Sequence, residues 1–545
     1  MSLLTRVARA SHILDAQSPL RTSSRILNAT AYRTFACSAP FARTYSSTAA
    51  GVRLTAPNGR SWTQPTGLFI GNEFVPSSNG QTLTTINPTT EEPICSVSSA
   101  TPTDVSTAVR SARTALKSPS WARLSGTDRG ALLHALAALA LQHAPTLATI
   151  EALDGGKPYL TALSSDVARF AEVLRYYAGF ADKNPGQTID VGPDKMAYTV
   201  MEPVGVCGLI VPWNYPLEMA AWKLGPALAC GNTVVLKPSE LTPLSALYLG
   251  TLVTEAGFPA GVVNILNGTG AEAGRALVEH GGVDKIAFTG STETGREVMR
   301  AAAGTLKNVT LETGGKSPMI VFADADVKKA ARWAHLGVMS NSGQVCTANS
   351  RLLVHRDVMD EFVAELARLV DEVSVLGDPF DEATFQGPQV SAAQRDRILG
   401  YIESGLVEGA RLVFGGKAAA GVGRGYFVDP TLFAGVTRDM RIWREEIFGP
   451  CAVVAPFGSE EEALELANDS VYGLGAMVFT RDLARAHRVA RGVEAGMVFV
   501  NSCDDSDVRT PFGGVKQSGV GRELGEAGLA GYCSVKTVHV NLGEE

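Results

Sequence analysis

The chain has 545 residues, with 48 Lys and Arg against 55 Asp and Glu, and a net charge of −7. Apolar residues make up 45% of it, enough for large buried cores, which excludes a disordered or fibrous chain. The acidic balance gives no electrostatic basis for general nucleic-acid binding, and at about 150 residues per domain the length predicts three or four domain-sized units.

Residues 1–45 hold six arginines, no lysine and one acid, Asp15. This Arg-rich, Ser-rich, acid-poor segment has the composition of a mitochondrial transit peptide, which predicts a mitochondrial matrix protein. The run Arg43-Thr44-Tyr45-Ser46-Ser47 resembles a processing site cut after Tyr45. A basic tail without a targeting role has the same composition. Taking its +5 away leaves the other 500 residues at −12. The eight cysteines form no CxxC, and the eight histidines no HExxH, so neither a disulfide scaffold nor a metal site is expected. No apolar run approaches the ~18 residues of a membrane span, and the mature protein is expected to be soluble.

After a Pro/Gly-rich lead-in at 51–72, residues 101–117 predict the first helix. Thr103 is its candidate cap, and Val105, Val109, Ala112 and Leu116 share one face. Ala-rich helical text follows at 128–143 and 159–182. Pro/Gly punctuation and strand text at 184–203 predict a hairpin-like excursion. From 204 to about 321 strands and helices alternate: strands at 204–211, 232–237, 262–266 and 284–289, helices at 217–229, 242–257, 270–280 and 292–303. Apolar strands separated by amphipathic helices specify parallel βαβ units, with the strands' carboxyl ends on the edge where a nucleotide binds. A second α/β region spans 315 to about 516, and a strand-like tail (534–541) ends the chain.

Several residues carry possible chemistry. The turn Thr289-Gly290-Ser291 joins a strand to a helix, where free N–H groups suit a pyrophosphate, although any tight βα turn needs glycine. Lys237 and Glu240 in Lys237-Pro238-Ser239-Glu240 end a strand where ribose hydroxyls would lie; a solvated loop also carries charges. Cys346 in Gly343-Gln344-Val345-Cys346-Thr347 is a candidate nucleophile if it begins a helix, whose macrodipole would lower its thiol pKa. Spacing alone favours a small buried hydrophobe. Glu312 ends an apolar strand before two glycines, a setting that raises a carboxyl pKa for general-base work. Glu446 reads locally as surface charge, and Asn214 in Pro212-Trp213-Asn214-Tyr215-Pro216 is either an oxyanion donor or an ordinary turn residue.

In order along the chain, PWNYP, KPSE, FTGSTETG, LETGGKSP, GQVCT, EEIFGP and PFGGVKQSGVGRE together resemble the NAD(P)-dependent aldehyde dehydrogenase superfamily from about residue 68 to 541, and Tyr215 and Trp222 are shared with its betaine-aldehyde and aminoaldehyde members. The resemblance implies an α/β fold with a Rossmann-like NAD-binding domain (52–183 and 204–314), an α/β catalytic domain (315–517) and a small β oligomerisation element (184–203 and 533–545) that makes homodimers or homotetramers. It implies Cys346 as nucleophile, Glu312 as general base and Asn214 as oxyanion donor. For the cofactor it implies Lys237, Glu240, Pro212, Trp213, Gly290, Ser291, Glu446 and Phe448. Thr313 stands where leucine is commoner, leaving Glu312 and both glycines intact. The carboxylate of Glu240 favours NAD over NADP, because it repels a 2′-phosphate.

The substrate is thereby a small-molecule aldehyde oxidised to the acid, with neither nucleic acid nor membrane as partner. Tyr215, Trp222 and Phe512 match positions lining the substrate tunnel. Their aromatic faces and the nearby Asp504, Asp505 and Asp507 suit betaine aldehyde or an aminoaldehyde. Phe512 and Ser340 replace tryptophans of the ammonium cage, so an apolar aldehyde tunnel with a solvated acidic rim fits as well. A Cys-dependent thioesterase, or a catalytically silent binding protein on the same fold, is the remaining alternative.

Overall fold

A computed structural model describes residues 51–543. The expected targeting segment 1–45 and the last two residues lie outside the described residues.

The first helix, Pro102–Lys117, starts two residues earlier than its candidate cap suggests. Thr101, not Thr103, accepts from the Asp104 N–H, and the Asp104 side chain returns a bond to the Thr101 backbone. Proline at the first helical position suits this start, because its missing N–H would have had no helical partner. The lead-in is a hairpin, Val52–Thr55 against Ser61–Gln64.

The central sheet has eight strands in the order Gly519–Val520, Asn308–Glu312, Lys285–Thr289, Val206–Ile210, Thr233–Lys237, Val263–Ile265, Leu68–Ile70 and Glu73–Val75. The five inner strands from Asn308–Glu312 to Val263–Ile265 run parallel, and the outer ones are antiparallel. Both faces are covered: Val206 and Val235 pack in one core, while Cys207, Leu209, Val234 and Leu236 pack in the other. Strands buried on both sides read as continuous apolar text. Pairing Lys237 with Ile210, and Thr289 with Glu312, brings these carboxyl ends to one sheet edge.

A seven-stranded sheet runs Arg411–Phe414, Thr431–Ala434, Cys451–Phe457, Arg351–His355, Pro318–Val321, Gly475–Phe479 and Met497–Val500. Its residues alternate between two cores. Met319, Val321, Leu352 and Val354 pack with helices Val327–Met339 and Met359–Val373. Ile320, Leu353 and Val453 pack with Ala392–Val407, Glu460–Asn468 and Leu483–Gly492. The period of two is the strand pleat itself.

Lys195–Pro203 pairs antiparallel with both Thr188–Ile189 and the terminal strand Cys533–Asn541, joining the excursion to the tail. Among the described residues no single helix is long and apolar enough to cross a membrane, and no His/Cys/Asp/Glu cluster has metal-binding geometry.

Candidate active site

One cavity of about 320 Å³ lies against the carboxyl edge of the central sheet. Its lining includes Pro212, Trp213, Asn214, Tyr215, Trp222, Gly290, Ser291, Glu312, Cys346, Glu446, Phe448 and Phe512. Residues distributed over three hundred positions of sequence thus meet at one place.

Cys346 does not begin a helix. It lies in a turn after the short 3-10 segment Ser340–Gly343. The approach to it is strained: Asn341, Ser342 and Gly343 have φ of 47°, 56° and 73°. A Cβ at Gly343 would fall 2.0 Å from the Gly449 carbonyl carbon, so glycine is required there. Strained backbone of this kind persists only where its surroundings over-determine it. Here the fastening is Asn214, whose Nδ2 donates to the Gln344 carbonyl at 2.9 Å while its own carbonyl accepts from Asn341 Nδ2 at 3.1 Å. The expected low thiol pKa is also reversed. Burial holds the Cys346 pKa well above its usual value, reinforced by the carboxylates of Asp504, Glu446 and Glu312.

Glu312 ends its strand in the cavity wall, 3% exposed, and neither carboxyl oxygen has a hydrogen-bond partner. Burial drives its pKa well up, with Glu523 adding to the rise and Lys223 opposing it. A Cβ at Gly513 would stand 2.6 Å from Glu312 Oε1, so the PFGG turn packs directly on the acid. Glu446 is inside rather than on the surface: Gly315 N–H donates to its Oε1 at 2.9 Å, and burial pushes its pKa up to about 7. The Phe448 ring meets Trp213 edge-on at 5.2 Å.

Ser291 caps the helix Thr292–Ala302, and a Cβ at Gly290 would run into the Phe288 ring at 2.5 Å. Lys237 and Glu240 are not among the cavity-lining residues but sit on the same sheet edge. Lys237 is buried, donates to the Pro238 carbonyl at 3.0 Å and reaches Glu240 at 3.5 Å. A buried ammonium, a capped helix start and a half-exposed carboxylate fit a dinucleotide laid along this edge.

On the substrate side, Trp222 and Phe512 pack with ring centroids 4.7 Å apart, and the Lys157 ammonium sits 3.7 Å from the Tyr215 ring centroid. Of the three expected rim carboxylates, only Asp504 lines the cavity. It accepts from Thr347 Oγ1 at 3.0 Å, and burial raises its pKa to about 6. Asp507 is instead paired with Arg509 at 2.7 Å, and Asp505 accepts from Ser502. Ser340 is not part of the lining.

Sequence reasoning missed Arg169, which lies 3.7 Å from Glu218 at the cavity. It also missed the buried pair of Lys223 and Glu523 behind Glu312. A lone lysine inside the apolar helix Pro216–Ala229 was the available signal, because buried lysines need a partner.

A model of the aldehyde dehydrogenase family matches residues 74–538. An aldehyde dehydrogenase of Alternaria alternata is 49% identical over 494 residues, covering 90% of this chain and 99% of the relative. The solved NAD+ complex of a Bacillus cereus aldehyde dehydrogenase is 48% identical, with a TM-score of 0.86 over 88% of this chain and 97% of that one. Betaine aldehyde dehydrogenase of Staphylococcus aureus, solved with NAD+, is 40% identical with a TM-score of 0.87, covering 88% of this chain and 96% of that one.

Proposed function

The chain belongs to the aldehyde dehydrogenase family, and we propose that it oxidises an aldehyde to the carboxylic acid with NAD, using Cys346 as nucleophile and Glu312 as general base. One observation carries this reading: a thiol, a buried carboxylate without partners and an amide donor converge on one cavity. The Cys346 thiolate attacks the aldehyde carbon and forms a thiohemiacetal. The second N–H of Asn214 Nδ2 is free to donate to its oxyanion, alongside the Cys346 backbone N–H. NAD, when bound, supplies the electron acceptor. Lys237 and Glu240 would hold its adenosine ribose, Gly290 and Ser291 its pyrophosphate, and Glu446 the nicotinamide ribose, with Pro212, Trp213 and Phe448 walling the channel. Glu240 favours NAD over NADP by repelling a 2′-phosphate. The acyl group remaining on Cys346 is a thioester, and Glu312 takes a proton from the water that hydrolyses it. Its raised pKa suits that role, since a more basic carboxylate accepts a proton more readily.

The test is aldehyde-dependent NADH formation by the purified enzyme. Ester cleavage without NADH from any aldehyde would overturn this reading in favour of a thioesterase, and activity unchanged in Cys346→Ala would overturn the nucleophile.

A second reading, cationic aldehydes such as betaine aldehyde or aminoaldehydes, is favoured by Asp504 and Glu218 in the cavity wall. Against it stand Arg169 in the same wall and the Lys157 ammonium already on the Tyr215 ring. Comparing kcat/KM for betaine aldehyde, aminoaldehydes and short aliphatic aldehydes decides, and a preference for uncharged aldehydes removes the cationic reading. We further propose a homodimer or homotetramer assembled through the three-stranded sheet. Ile189, Val191, Met196, Val535 and Leu542 leave large apolar groups exposed there, and light scattering on the purified protein tests it. The N-terminal composition supports delivery to the mitochondrial matrix, and import of the full chain into isolated mitochondria with loss of the Arg-rich segment is the corresponding assay.

A further inference from the structure

Two thiols that do not line the cavity lie against each other. Cys230 caps the carboxyl end of the helix Pro216–Ala229, and Cys533 is the first residue of the terminal strand. Their sulfurs are 2.8 Å apart, a hydrogen-bonded contact between free thiols. A disulfide bond is about 2.05 Å long, so closure requires an approach of less than about 1 Å. The surroundings separate the two chemically. Cys533 is half-buried and accepts from Asn184 Nδ2 at 2.9 Å, while Cys230 is buried against the Leu529 carbonyl, 3.7 Å from its sulfur.

We propose that Cys230 and Cys533 are a redox-active dithiol, a modification site at which a small-molecule disulfide of the glutathione type is reduced and the helix becomes covalently tied to the terminal strand. Cys533 is the attacking group. It is the more exposed of the two and its sulfur accepts from Asn184 Nδ2, with the Arg129 guanidinium nearby also favouring the thiolate, whereas Cys230 is buried. The Cys533 thiolate attacks one sulfur of the glutathione disulfide. This forms a mixed disulfide and expels one glutathione thiolate, which takes up the proton Cys533 released. The Cys230 sulfur then attacks the Cys533 sulfur, breaks the mixed disulfide and expels the second glutathione, which carries away the Cys230 proton. Two protein thiols are oxidised by two electrons, and one glutathione disulfide is reduced to two thiols.

The site is independent of the catalytic thiol, so the test reads positions rather than activity. Reduced full-length protein is incubated with glutathione disulfide, blocked with iodoacetamide and digested for peptide mass mapping. The expected product is a peptide joining Cys230 to Cys533, lost on treatment with dithiothreitol, with a thermal midpoint raised by about 3–5 °C in the oxidised form. In Cys230→Ala the glutathione should remain on Cys533 as a stable adduct. Full alkylation of both cysteines after oxidant, or an unresolved glutathione adduct on Cys533 of the unmodified chain, overturns the proposal.

Discussion

A methyl group added at Gly314 would sit 2.3 Å from Oε2 and 2.8 Å from Cδ of Glu446, where ordinary contact begins near 3.4 Å. The backbone at Gly314 cannot yield easily, because its N–H donates to Thr292 Oγ1 at 3.1 Å and its carbonyl accepts from Ser518 Oγ at 2.7 Å. Gly314 is not in the left-handed region, so alanine there probes packing rather than backbone strain. The Glu446 carboxylate must therefore retreat by about 1 Å, drawing Oε1 away from the Gly315 N–H that holds it at 2.9 Å. A hydrogen bond to a charged group contributes about 1.5–3 kcal/mol, so losing the pre-set position should raise KM for NAD by about 10- to 100-fold. Steady-state kinetics in NAD and in aldehyde, run above the pH of about 7 to which burial raises Glu446, separate the effects. The aldehyde KM at saturating NAD should stay within about threefold, because Gly314 is argued to act only through Glu446. A KM for NAD within about twofold of the parent, with kcat reduced, would refute the reasoning and place Gly314 with Glu312 instead.

Asn214→Ala should lower kcat by about 10²–10³, the usual cost of one oxyanion donor, with KM for NAD unchanged in the same assay. Asp504→Asn removes the first of three carboxylates that add to burial in raising Cys346. The thiol should therefore ionise at lower pH, and the pH profile of iodoacetamide alkylation at Cys346 should move downward. Glu312 ionises as pH rises through its raised folded-state pKa, so thioester hydrolysis should accelerate with pH. In Glu312→Gln that rising limb should vanish from single-turnover hydrolysis, leaving acyl-enzyme visible by mass spectrometry. Lys223→Met leaves Glu523 buried at 3% exposure without its ammonium partner. Stability should fall by about 3–5 kcal/mol, and adding Glu523→Gln should recover much of the lost thermal midpoint.

The alternation of strands and helices was legible because strands buried on both faces write long apolar runs, and Cys207, Leu209, Val234 and Leu236 lie in such runs. The early hairpin at Val52–Thr55 and the helix Ala144–Gly155 were not, because short exposed strands and uniformly apolar helices show no clean period. The identities of the catalytic candidates survived as positions: Cys346, Glu312 and Asn214 do meet. The raised carboxyl pKa of Glu312 survived as well, but the electrostatics of Cys346 did not, and the reason is physical. A local reading of Gly343-Gln344-Val345-Cys346 could supply only a helix dipole, which would have lowered the thiol pKa. The fold instead supplies burial plus Glu312, Glu446 and Asp504 from three distant segments, all of which raise it. A thiol held protonated in this way must lose its proton before it can attack. Its activation then requires a proton acceptor inside the same wall. Glu312 has both oxygens unengaged in that wall and adds to the rise in the Cys346 pKa, which makes it the candidate acceptor.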